Sequence, residues 1–367
     1  MIILAAGLSE RMGVFKPLLP VGRRPAVLRC IDTALEAGIR VGDITVVTGF
    51  NAGALEPIVG GAHPEVRLAE NATYREGMFS SVQTGLAALP AGTDAFFLLP
   101  ADCCGVTSDA LKMLIGRLCD VGENAVIRPS YQGRRGHPPL IPAKYARPLR
   151  AYAGDDGLKG FLRTLPAVEV EMDGPGALLD MDTPEDYAQL LVHLNLPVSP
   201  DRAQCAELFA KYKAPGDVVS HGEHVAAVAL DLARSMASRG ASLNTDLLES
   251  ACLLHDIART EANHARAGMN LLLKEGYPAA AKLVGMHMDL PDGVPDDIAE
   301  GELLFLADKL CRRGRIVSID DRVNELSSAY PPDSEAFINA LSRMASARAI
   351  LVALTAKFGI SAPGEDC

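Results

Sequence analysis

The chain has no tryptophan, and only 5% of its 367 residues are aromatic. No apolar run approaches the roughly 20 residues of a membrane-spanning helix, and Met1 leads into a strand rather than a basic signal-peptide region. Positive charge is also scarce, because the formal net charge is −11. An acidic chain without a clustered basic face argues against a nucleic-acid polymer or an anionic membrane as its partner. These absences favour a soluble, cytoplasmic protein whose partners are small molecules.

The cysteines lack the spacing of a metal or redox motif. The eight cysteines include no C-x-x-C pair, and the adjacent Cys103 and Cys104 cannot easily bridge each other. We therefore expect reduced thiols and no cysteine-bound metal.

Two common phosphate-binding motifs are missing from the start of the chain, although a loop there has residues that suit phosphate. The first sixteen residues, MIILAAGLSERMGVFK, form a short apolar strand and then a loop with Gly7, Ser9, Arg11, Gly13 and Lys16. No Ser or Thr follows Lys16, so G-x-x-x-x-G-K-[ST] is excluded, and G-x-G-x-x-G is absent. Glycines let backbone N–H groups approach phosphate oxygens, and the two cations neutralise them. The loop therefore predicts a polyphosphate site, and the alternative is an ordinary strand-to-helix turn with exposed charges.

This stretch resembles the signature LAAGxSxRMGxxK of the molybdenum cofactor cytidylyltransferases and related guanylyltransferases, and every fixed position is present. The resemblance implies a nucleotidyltransferase with a Rossmann-like sheet, whose first loop binds the triphosphate of an NTP. It implies catalytic roles for Arg11 and Lys16. The implied nucleotide-binding residues of this stretch are Leu4, Ala5, Ala6, Gly7, Ser9, Arg11, Gly13 and Lys16.

Strand and helix patterns alternate over the first half of the chain. Helical patterns such as residues 26–37 separate the apolar runs, which lie at residues 2–4, 44–47, 66–68, 95–99, 125–127 and 168–172. Continuous apolar runs are typical of strands buried on both faces, so the pattern predicts an α/β, three-layer, mostly parallel sheet.

The pattern changes near residue 198, where NLPVSPDR contains two prolines. Beyond it helical periodicity dominates, as in residues 218–237 and 247–258, and no convincing strand follows. We therefore expect two domains, an α/β domain at residues 1–195 and an all-α domain at 203–367.

Two carboxylates are candidates for Mg²⁺ binding. Asp102 follows a predicted strand, where ligands gather in such sheets, and the alternative is a carboxylate at a helix N-terminus. In LDMDTPED, Thr183 is a plausible helix N-cap with Pro184 at the first helical position, which leaves Asp180 and Asp182 unexplained. The cytidylyltransferases have similar PAD and DxDTPEDY segments. The resemblance implies that Asp102 and Asp182 hold Mg²⁺, with Asp180 ranked after them, and that Asp102 is also catalytic and contacts the nucleotide.

Two further loops match this family. In NATYREGMFSSVQTGL a serine can cap the following helix, and the resemblance places Asn71, Ser80 and Ser81 at the nucleotide base and ribose. The loop GRRGHPP combines two arginines and a histidine with stiffening prolines, which predicts an anion site, with a basic surface turn as the alternative. Relatives use GRRGHP near the pterin substrate. The implied acceptor-binding residues are Arg134, Arg135, Gly136 and His137. The segment GDDGLK at 154–159 resembles their G-D-x-G loop.

Histidines are concentrated in the second half of the chain. Five of the eight, His221, His224, His255, His264 and His287, lie within residues 221–287. The predicted helix at 247–258 (LLESACLLHDIA) is apolar enough to be buried, so the carboxylate of Asp256 needs compensation, which a divalent metal provides. Asp308 is likewise polar within an apolar run. For each histidine alone, the alternative is a hydrogen-bonded core residue.

The order His, His-Asp, Asp resembles the HD superfamily of metal-dependent phosphohydrolases, which are all-helical. The resemblance implies that His221, rather than His224, joins His255, Asp256 and Asp308 as ligands of a first metal, and that His264 and His287 hold a second. Imidazoles and carboxylates suit Mn²⁺, Fe²⁺ or another transition metal. A metal-bound water of lowered pKa is expected to attack phosphorus.

Together the resemblances imply a bifunctional cytoplasmic enzyme. Residues 1–195 would transfer CMP from CTP, or a nucleotidyl group from another NTP, to a phosphorylated pterin-type acceptor such as a molybdopterin cofactor. Residues 203–367, with a core at about 217–312, would form an HD phosphohydrolase. A molybdoenzyme or its maturation factors are the expected protein partners. The alternatives are another NTP and acceptor, and an HD domain that is a non-catalytic regulatory or oligomerisation module.

Overall fold

An eight-stranded sheet organises the first half of the chain. The structure is a computed structural model that describes residues 1–154, 156–290, 293–295 and 297–360. Its contacts divide it into two units, Met1–Leu196 and Pro197–Cys367. Asp155 of the predicted GDDGLK loop lies outside the described residues.

The strands of the first unit are β1 (Ile2–Leu4), β2 (Pro20–Val21), β3 (Arg24–Pro25), β4 (Thr45–Thr48), β5 (Arg67–Glu70), β6 (Ala95–Pro100), β7 (Val126–Tyr131), β8 (Arg134–Arg135), β9 (Leu140–Pro142) and β10 (Ala167–Glu171). Its helices are α1 (Ala26–Glu36), α2 (Ala52–Ala62), α3 (Met78–Ala87), α4 (Ser108–Val121), α5 (Ala146–Arg150), α6 (Gly157–Arg163) and α7 (Pro184–His193).

The strand order is β10-β7-β9-β6-β1-β4-β5, with β8 on β7, while β2 and β3 form a separate hairpin. All pairs in the sheet are parallel except those of β8 and β9, which are antiparallel to their neighbours. The sheet with its flanking helices confirms the predicted α/β class. The sequence did not predict β8, β9 or the β2–β3 hairpin, because strands of two or three residues leave little periodicity.

The core of the sheet lies around β1. Side chains of Ile2, Val47 and Phe96 pack against α3, α5 and α6 in one apolar cluster. Strands β1 and β4 are buried throughout, as predicted. The prediction is wrong for β5 and β10, which are partly exposed. They are edge strands with a neighbour on one side only, so solvent reaches them.

The second unit is helical, as predicted. Its helices are α8 (Arg202–Tyr212), α9 (Gly216–Ala237), α10 (Thr245–Leu254), α11 (His264–Lys274), α12 (Pro278–Met286), α13 (Glu300–Leu310), α14 (Ile319–Ala329) and α15 (Glu335–Phe358). One correction is a two-stranded antiparallel hairpin of β11 (Cys311–Arg312) and β12 (Arg315–Ile316). Its strands are too short to show alternation in the sequence.

A second correction concerns the end of α10, which the periodicity placed at residue 258. The helix ends at Leu254, and His255 and Asp256 lie in the tighter turns that follow. There the Ile257 N–H donates to the Leu254 carbonyl and the Arg259 N–H to the Asp256 carbonyl, three residues back. The apolar pattern continues through these turns because they remain buried, so periodicity alone did not show where the helix ends.

Helix α15 corrects the expectation about apolar runs. By length and composition it could cross a membrane, with a mean hydropathy of 1.3 over its most apolar window. Its apolar residues are interrupted by Arg343 and Arg348, which pair with Asp289 and Asp320. The helix packs against α13 and α14. A helix of a soluble protein passes the same test of length and composition.

Helices α9 and α10 approach closely at Gly222, where a Cβ atom would lie 2.4 Å from the carbonyl oxygen of Leu253. We predict that Gly222→Ala destabilises the protein by about 1–3 kcal/mol, because backbone must move to admit the methyl group. Thermal unfolding followed by circular dichroism measures the effect. Gly216→Ala on the same helix is the control, since its Cβ would meet nothing within 4 Å. Equal melting temperatures for the two variants would contradict the prediction.

Candidate functional sites

Four charged side chains meet beyond the carboxyl ends of β1 and β6. Lys16 Nζ lies 3.0 Å from Asp102 Oδ2 and 2.5 Å from Asp182 Oδ1, and Arg11 Nη2 lies 2.6 Å from Asp182 Oδ2. The strand order reverses here, since β4 and β5 extend the sheet on one side of β1 and β6 lies on the other. Ligands of open α/β sheets bind at such a reversal.

Backbone hydrogen bonds bring these residues together from distant parts of the sequence. The Ala101 N–H donates to the Leu4 carbonyl, so Asp102 emerges beside the loop that follows β1. Within that loop the Ser9 hydroxyl accepts a hydrogen bond from the Lys16 N–H at 3.2 Å, and the Ser9 carbonyl accepts one from Gly13. Ser9 thus shapes the loop. Thr183 caps α7, as predicted, and also forms a capping box with Asp186. This cap holds Asp182 just ahead of the helix.

The charges in this cluster stabilise one another. Burial lowers the pKa of Lys16, but Asp102 and Asp182 outweigh burial and raise it. Burial raises the pKa of Asp182, but Lys16 and Arg11 outweigh that and lower it. Burial and the charge of Asp182 raise the pKa of Asp180. Lys16 therefore remains a cation. The carboxylate oxygens of Asp102 and Asp182 both face Lys16 Nζ, and carboxylate oxygens are also the ligands that Mg²⁺ prefers.

Asn71, Ser80 and Ser81 form a buried network after β5. The Asn71 side-chain amide donates to Ser80 Oγ at 2.8 Å and to Ser81 Oγ at 3.0 Å. The expected serine cap is wrong, because α3 begins at Met78 with Gly77 as its N-cap and both serines lie inside the helix. Their hydroxyls instead connect the loop after β5 to α3.

The GRRGHPP segment begins in the turn of the β7–β8 hairpin and contains strand β8. Its two arginines are adjacent residues of β8. Gln132 and Gly133 occupy the two-residue turn with φ values of 51° and 73°, as a type I′ turn requires. Adjacent strand residues point to opposite faces. Arg135 consequently pairs with Glu169 at 2.5 Å, whereas Arg134 lines a cavity of about 300 Å³ with Tyr131 and Asp180.

Gly136 and His137 connect this hairpin to the segment that leads to Asp182. A Cβ at Gly136 would lie 2.3 Å from the carbonyl oxygen of Ala177, which also accepts a hydrogen bond from the His137 N–H at 2.7 Å. Burial lowers the pKa of His137, and its Nδ1 is buried without a hydrogen-bond partner. Gly136 is therefore required for close backbone approach, while the neutral His137 keeps an unused ring nitrogen.

In the helical unit, four histidines and two aspartates converge on one buried cluster. They are His221, His255, His264, His287, Asp256 and Asp308. His221 Nε2 and His255 Nε2 lie 3.1 and 3.5 Å from Asp308 Oδ1. His264 Nε2 and His287 Nε2 lie 3.4 and 3.7 Å from Asp256 Oδ1. The cluster thus has two halves, joined by His255, whose Nε2 lies 3.5 Å from Asp256 Oδ2.

The donor atoms of this cluster suit divalent metal ions. His255 Nε2 and Asp256 Oδ1 are buried and have no hydrogen-bond partner in the described part of the chain. The Nδ1 atoms of His255 and His287 face the carbonyl oxygens of Cys252 and Val284 at 2.8 and 2.7 Å. A hydrogen bond from Nδ1 leaves the Nε2 lone pair free for a metal. Two groups of three residues have converging donor atoms, His221 with His255 and Asp308, and His255 with Asp256 and His287.

Ionisation in this cluster also suits metal binding, which requires neutral imidazoles and ionised carboxylates. Burial lowers the pKa of His264, and burial and His255 lower that of His287 to about 3. Burial raises the pKa of Asp308, but Lys309 and the adjacent imidazoles lower it well below its usual value. The pKa of His255 is the exception, since Asp308 and Asp256 outweigh burial and raise it.

The helical packing selects His221 over His224 for the cluster. His221 precedes Gly222, where α9 approaches the end of α10 closely, so its ring reaches His255 at a centroid distance of 5.1 Å. His224 is exposed, and its Nδ1 lies 2.6 Å from the Ser220 carbonyl.

Sequence reasoning did not identify the cations around the cluster. Lys309 is buried and donates to Asp308 Oδ2 at 2.9 Å and to the His287 carbonyl at 2.8 Å. Arg259 pairs with Asp256. Lys309 directly follows the predicted ligand Asp308, and Arg259 lies three residues after the predicted ligand Asp256. This short spacing was the signal in the sequence that could have identified them.

Comparisons with known proteins match a separate family to each half of the chain. A family model described as MobA-like NTP transferase domain matches residues 1–170, and one described as HD domain matches residues 218–313. The molybdenum cofactor cytidylyltransferase of Escherichia coli (strain K12) is 28% identical over 186 residues, which are 51% of this chain and 92% of that protein.

Two solved structures are similar to the first unit. Rv0371c from Mycobacterium tuberculosis H37Rv is 25% identical with a TM-score of 0.45, over 52% of this chain and 96% of that one. A nucleotidyl transferase from Methanothermobacter thermautotroptrophicus is 23% identical with a TM-score of 0.45, over 52% of this chain and 95% of that one. The family models thus identify a MobA-like NTP transferase domain at residues 1–170 and an HD domain at residues 218–313.

Proposed function

We propose that the chain is a bifunctional enzyme, and that its first domain, about residues 1–195, transfers CMP from CTP to a phosphorylated, molybdopterin-type acceptor. The contact of Lys16 with both Asp102 and Asp182 carries this proposal. It places a fixed cation and two candidate metal ligands where the sheet reverses. The cytidylyltransferase from Escherichia coli supports CTP as the nucleotide.

In this reaction an acceptor phosphate oxygen forms a bond to the α-phosphorus of CTP, and the bond to the departing pyrophosphate breaks. Arg11 and Lys16 neutralise the charge that accumulates on the pyrophosphate. Asp102 and Asp182 would hold Mg²⁺, which supplies further charge neutralisation and orients the triphosphate. Since the Lys16 ammonium bridges these carboxylates, it must turn toward the phosphates when they bind a divalent cation.

Arg134 and Asp180 form the proposed acceptor side of the site. Both line the cavity of about 300 Å³, which Asp186 of α7 also lines, and Arg134 has no acidic partner among the described residues, unlike Arg135. Arg134 would bind the acceptor phosphate, while Arg135 would brace the hairpin through Glu169.

For the HD domain, residues 203–367, we propose metal-dependent hydrolysis of a phosphate ester. The unpartnered His255 Nε2 and Asp256 Oδ1 carry this proposal. His221, His255, Asp256 and Asp308 would hold a first transition metal such as Mn²⁺ or Fe²⁺, with His264 and His287 available for a second. Metal ions bound there supply Lewis acidity and lower the pKa of a bound water. Lys309 holds Asp308 in its ionised form. We place both activities in the cytoplasm.

We predict that Lys16→Met lowers the rate of pyrophosphate release from CTP by about 10²–10³-fold, because a fixed cation at the developing charge is lost. The assay uses labelled CTP, Mg²⁺ and candidate phosphorylated acceptors. Lys112→Met is the control, since that exposed lysine pairs with Asp109 on α4. Equal rates for the two variants would rule out the proposed role of Lys16.

The nucleotide preference is tested by binding alone. We expect CTP with Mg²⁺ to raise the melting temperature of the protein more than GTP or UTP does, since a ligand stabilises the native state that binds it. A shift with GTP or UTP and none with CTP would exclude cytidylyl transfer.

We predict that Mn²⁺ raises the melting temperature of metal-free wild-type protein. At a concentration one hundred times the Kd, binding should stabilise the native state by about 2.7 kcal/mol. The His255→Ala, Asp256→Ala double variant should lose this shift and the hydrolysis of p-nitrophenyl phosphate. His224→Ala is the matched control for Mn²⁺ binding, because its exposed ring lies outside the cluster. A double variant that binds no Mn²⁺ but still hydrolyses the ester would sink the HD active-site proposal. If wild type binds Mn²⁺ but has no activity on phosphate esters, the metal is structural or regulatory.

A further inference from the structure

The cluster of four histidines and two aspartates opens into a cavity of about 630 Å³ in the HD domain. The volume is that of a site for a small organic ligand. Metal ligands His221, Asp256, His264 and Asp308 line it. Its lining also includes five arginines, which are Arg259, Arg312, Arg313, Arg322 and Arg343.

Two of these arginines are already neutralised by carboxylates. Arg259 pairs with Asp256, and Arg343 makes two hydrogen bonds to Asp289 at 2.8 and 2.9 Å. The charges of these two arginines are therefore compensated within the protein.

Two of the other three arginines share one carboxylate. Arg312 Nε lies 3.2 Å from Glu325 Oε2, and Arg322 Nη1 lies 3.8 Å from the same oxygen. Arg313 has no acidic partner within the described part of the chain. One carboxylate for three guanidinium groups leaves an excess of positive charge on this wall of the cavity.

Arg322 is held in a costly environment. Its side chain is only 20% exposed, and its Nε is buried with no hydrogen-bond partner among the described residues. Burial, and next the charge of Arg312, lower its pKa. A buried donor on a charged group costs free energy unless an acceptor satisfies it. Because Arg322 lines the cavity, an anion bound there would compensate the charge of its guanidinium group.

The β11–β12 hairpin brings Arg313 to the same cavity as the metal ligands. Arg313 and Gly314 form its turn with φ values of 49° and 74°, so Arg313 adopts a left-handed conformation that is uncommon for a non-glycine residue. A Cβ at Gly314 would lie 3.5 Å from His224 Nε2. The turn therefore lies against His224 of α9, three residues beyond His221.

We propose that Arg313 and Arg322 form a second anion-binding subsite, and that the HD substrate carries a second phosphate apart from the one at the metal cluster. This inference rests on the proposed phosphohydrolase function and defines its substrate class as a small bisphosphorylated molecule. Guanidinium groups suit phosphate because their paired N–H donors match its oxygens. A substrate with a single phosphate would leave these two arginines without an acceptor.

Binding to the Mn²⁺-loaded, full-length protein tests the subsite. Isothermal titration calorimetry compares fructose 1,6-bisphosphate with fructose 6-phosphate, which differ by one phosphate. We expect the bisphosphate to bind wild type about tenfold more tightly or better, since charge-assisted hydrogen bonds contribute this much. Arg313→Gln, an exposed position, should remove most of that difference and leave monophosphate binding unchanged.

Arg315→Gln is the matched control, because Arg315 is exposed on the same hairpin and is absent from the cavity lining. Arg322→Gln should act like Arg313→Gln, and circular dichroism checks that this less exposed variant is folded. Equal affinity of wild type for the two sugars, or equal effects of Arg313→Gln and Arg315→Gln, would overturn the subsite. A binding difference without hydrolysis of either p-nitrophenyl phosphate or fructose 1,6-bisphosphate supports the subsite and contradicts the phosphohydrolase proposal.

Discussion

Compensation of the buried charge of Asp256 is the constraint on which the helical unit depends. This carboxylate is 2% exposed, and the turns after α10 direct one oxygen toward Arg259 and the other toward His264 and His287. A carboxylate in such surroundings needs cations or metal ions nearby. Arg259 supplies a cation, and the approach of α9 at Gly222 brings His221 into the same cluster.

The α/β unit meets the same constraint with a buried cation instead. Lys16 is 10% exposed in its side chain and contacts Asp102 and Asp182. These residues follow β1, follow β6 and precede α7, so the ion pairs join three segments at the reversal of the sheet. The same side chains can neutralise a triphosphate and hold a metal, and stability and chemistry thus depend on one set of charges. In both units some of the side chains with unsatisfied or shared polar atoms, such as Lys16 and His255, belong to the proposed sites.

Local sequence signals were sufficient for much of this structure. Apolar runs located the strands of the parallel core, and Thr183 followed by Pro184 located the start of α7. Signals failed where a feature depended on partners distant in sequence. The buried apolar pattern around His255 continued past the end of α10. The serines of α3 do not cap the helix, because their hydroxyls contact Asn71. The composition of β5 and β10 did not show that these strands lie at the edges of the sheet. The short β11–β12 hairpin left no periodicity to detect.

The sequence by itself determined the class of each unit and supplied the candidate site residues, because strand and helix periodicity and motif spacing are local properties. Only the tertiary structure decided which of those residues meet. It paired Lys16 with carboxylates 86 and 166 positions away, separated Arg134 from Arg135 on opposite faces of a strand, and placed Arg313 and Arg322 beside the histidine cluster. Such contacts depend on strand order and helix packing, which bring together side chains whose spacing in the chain carries no record of their distance in space.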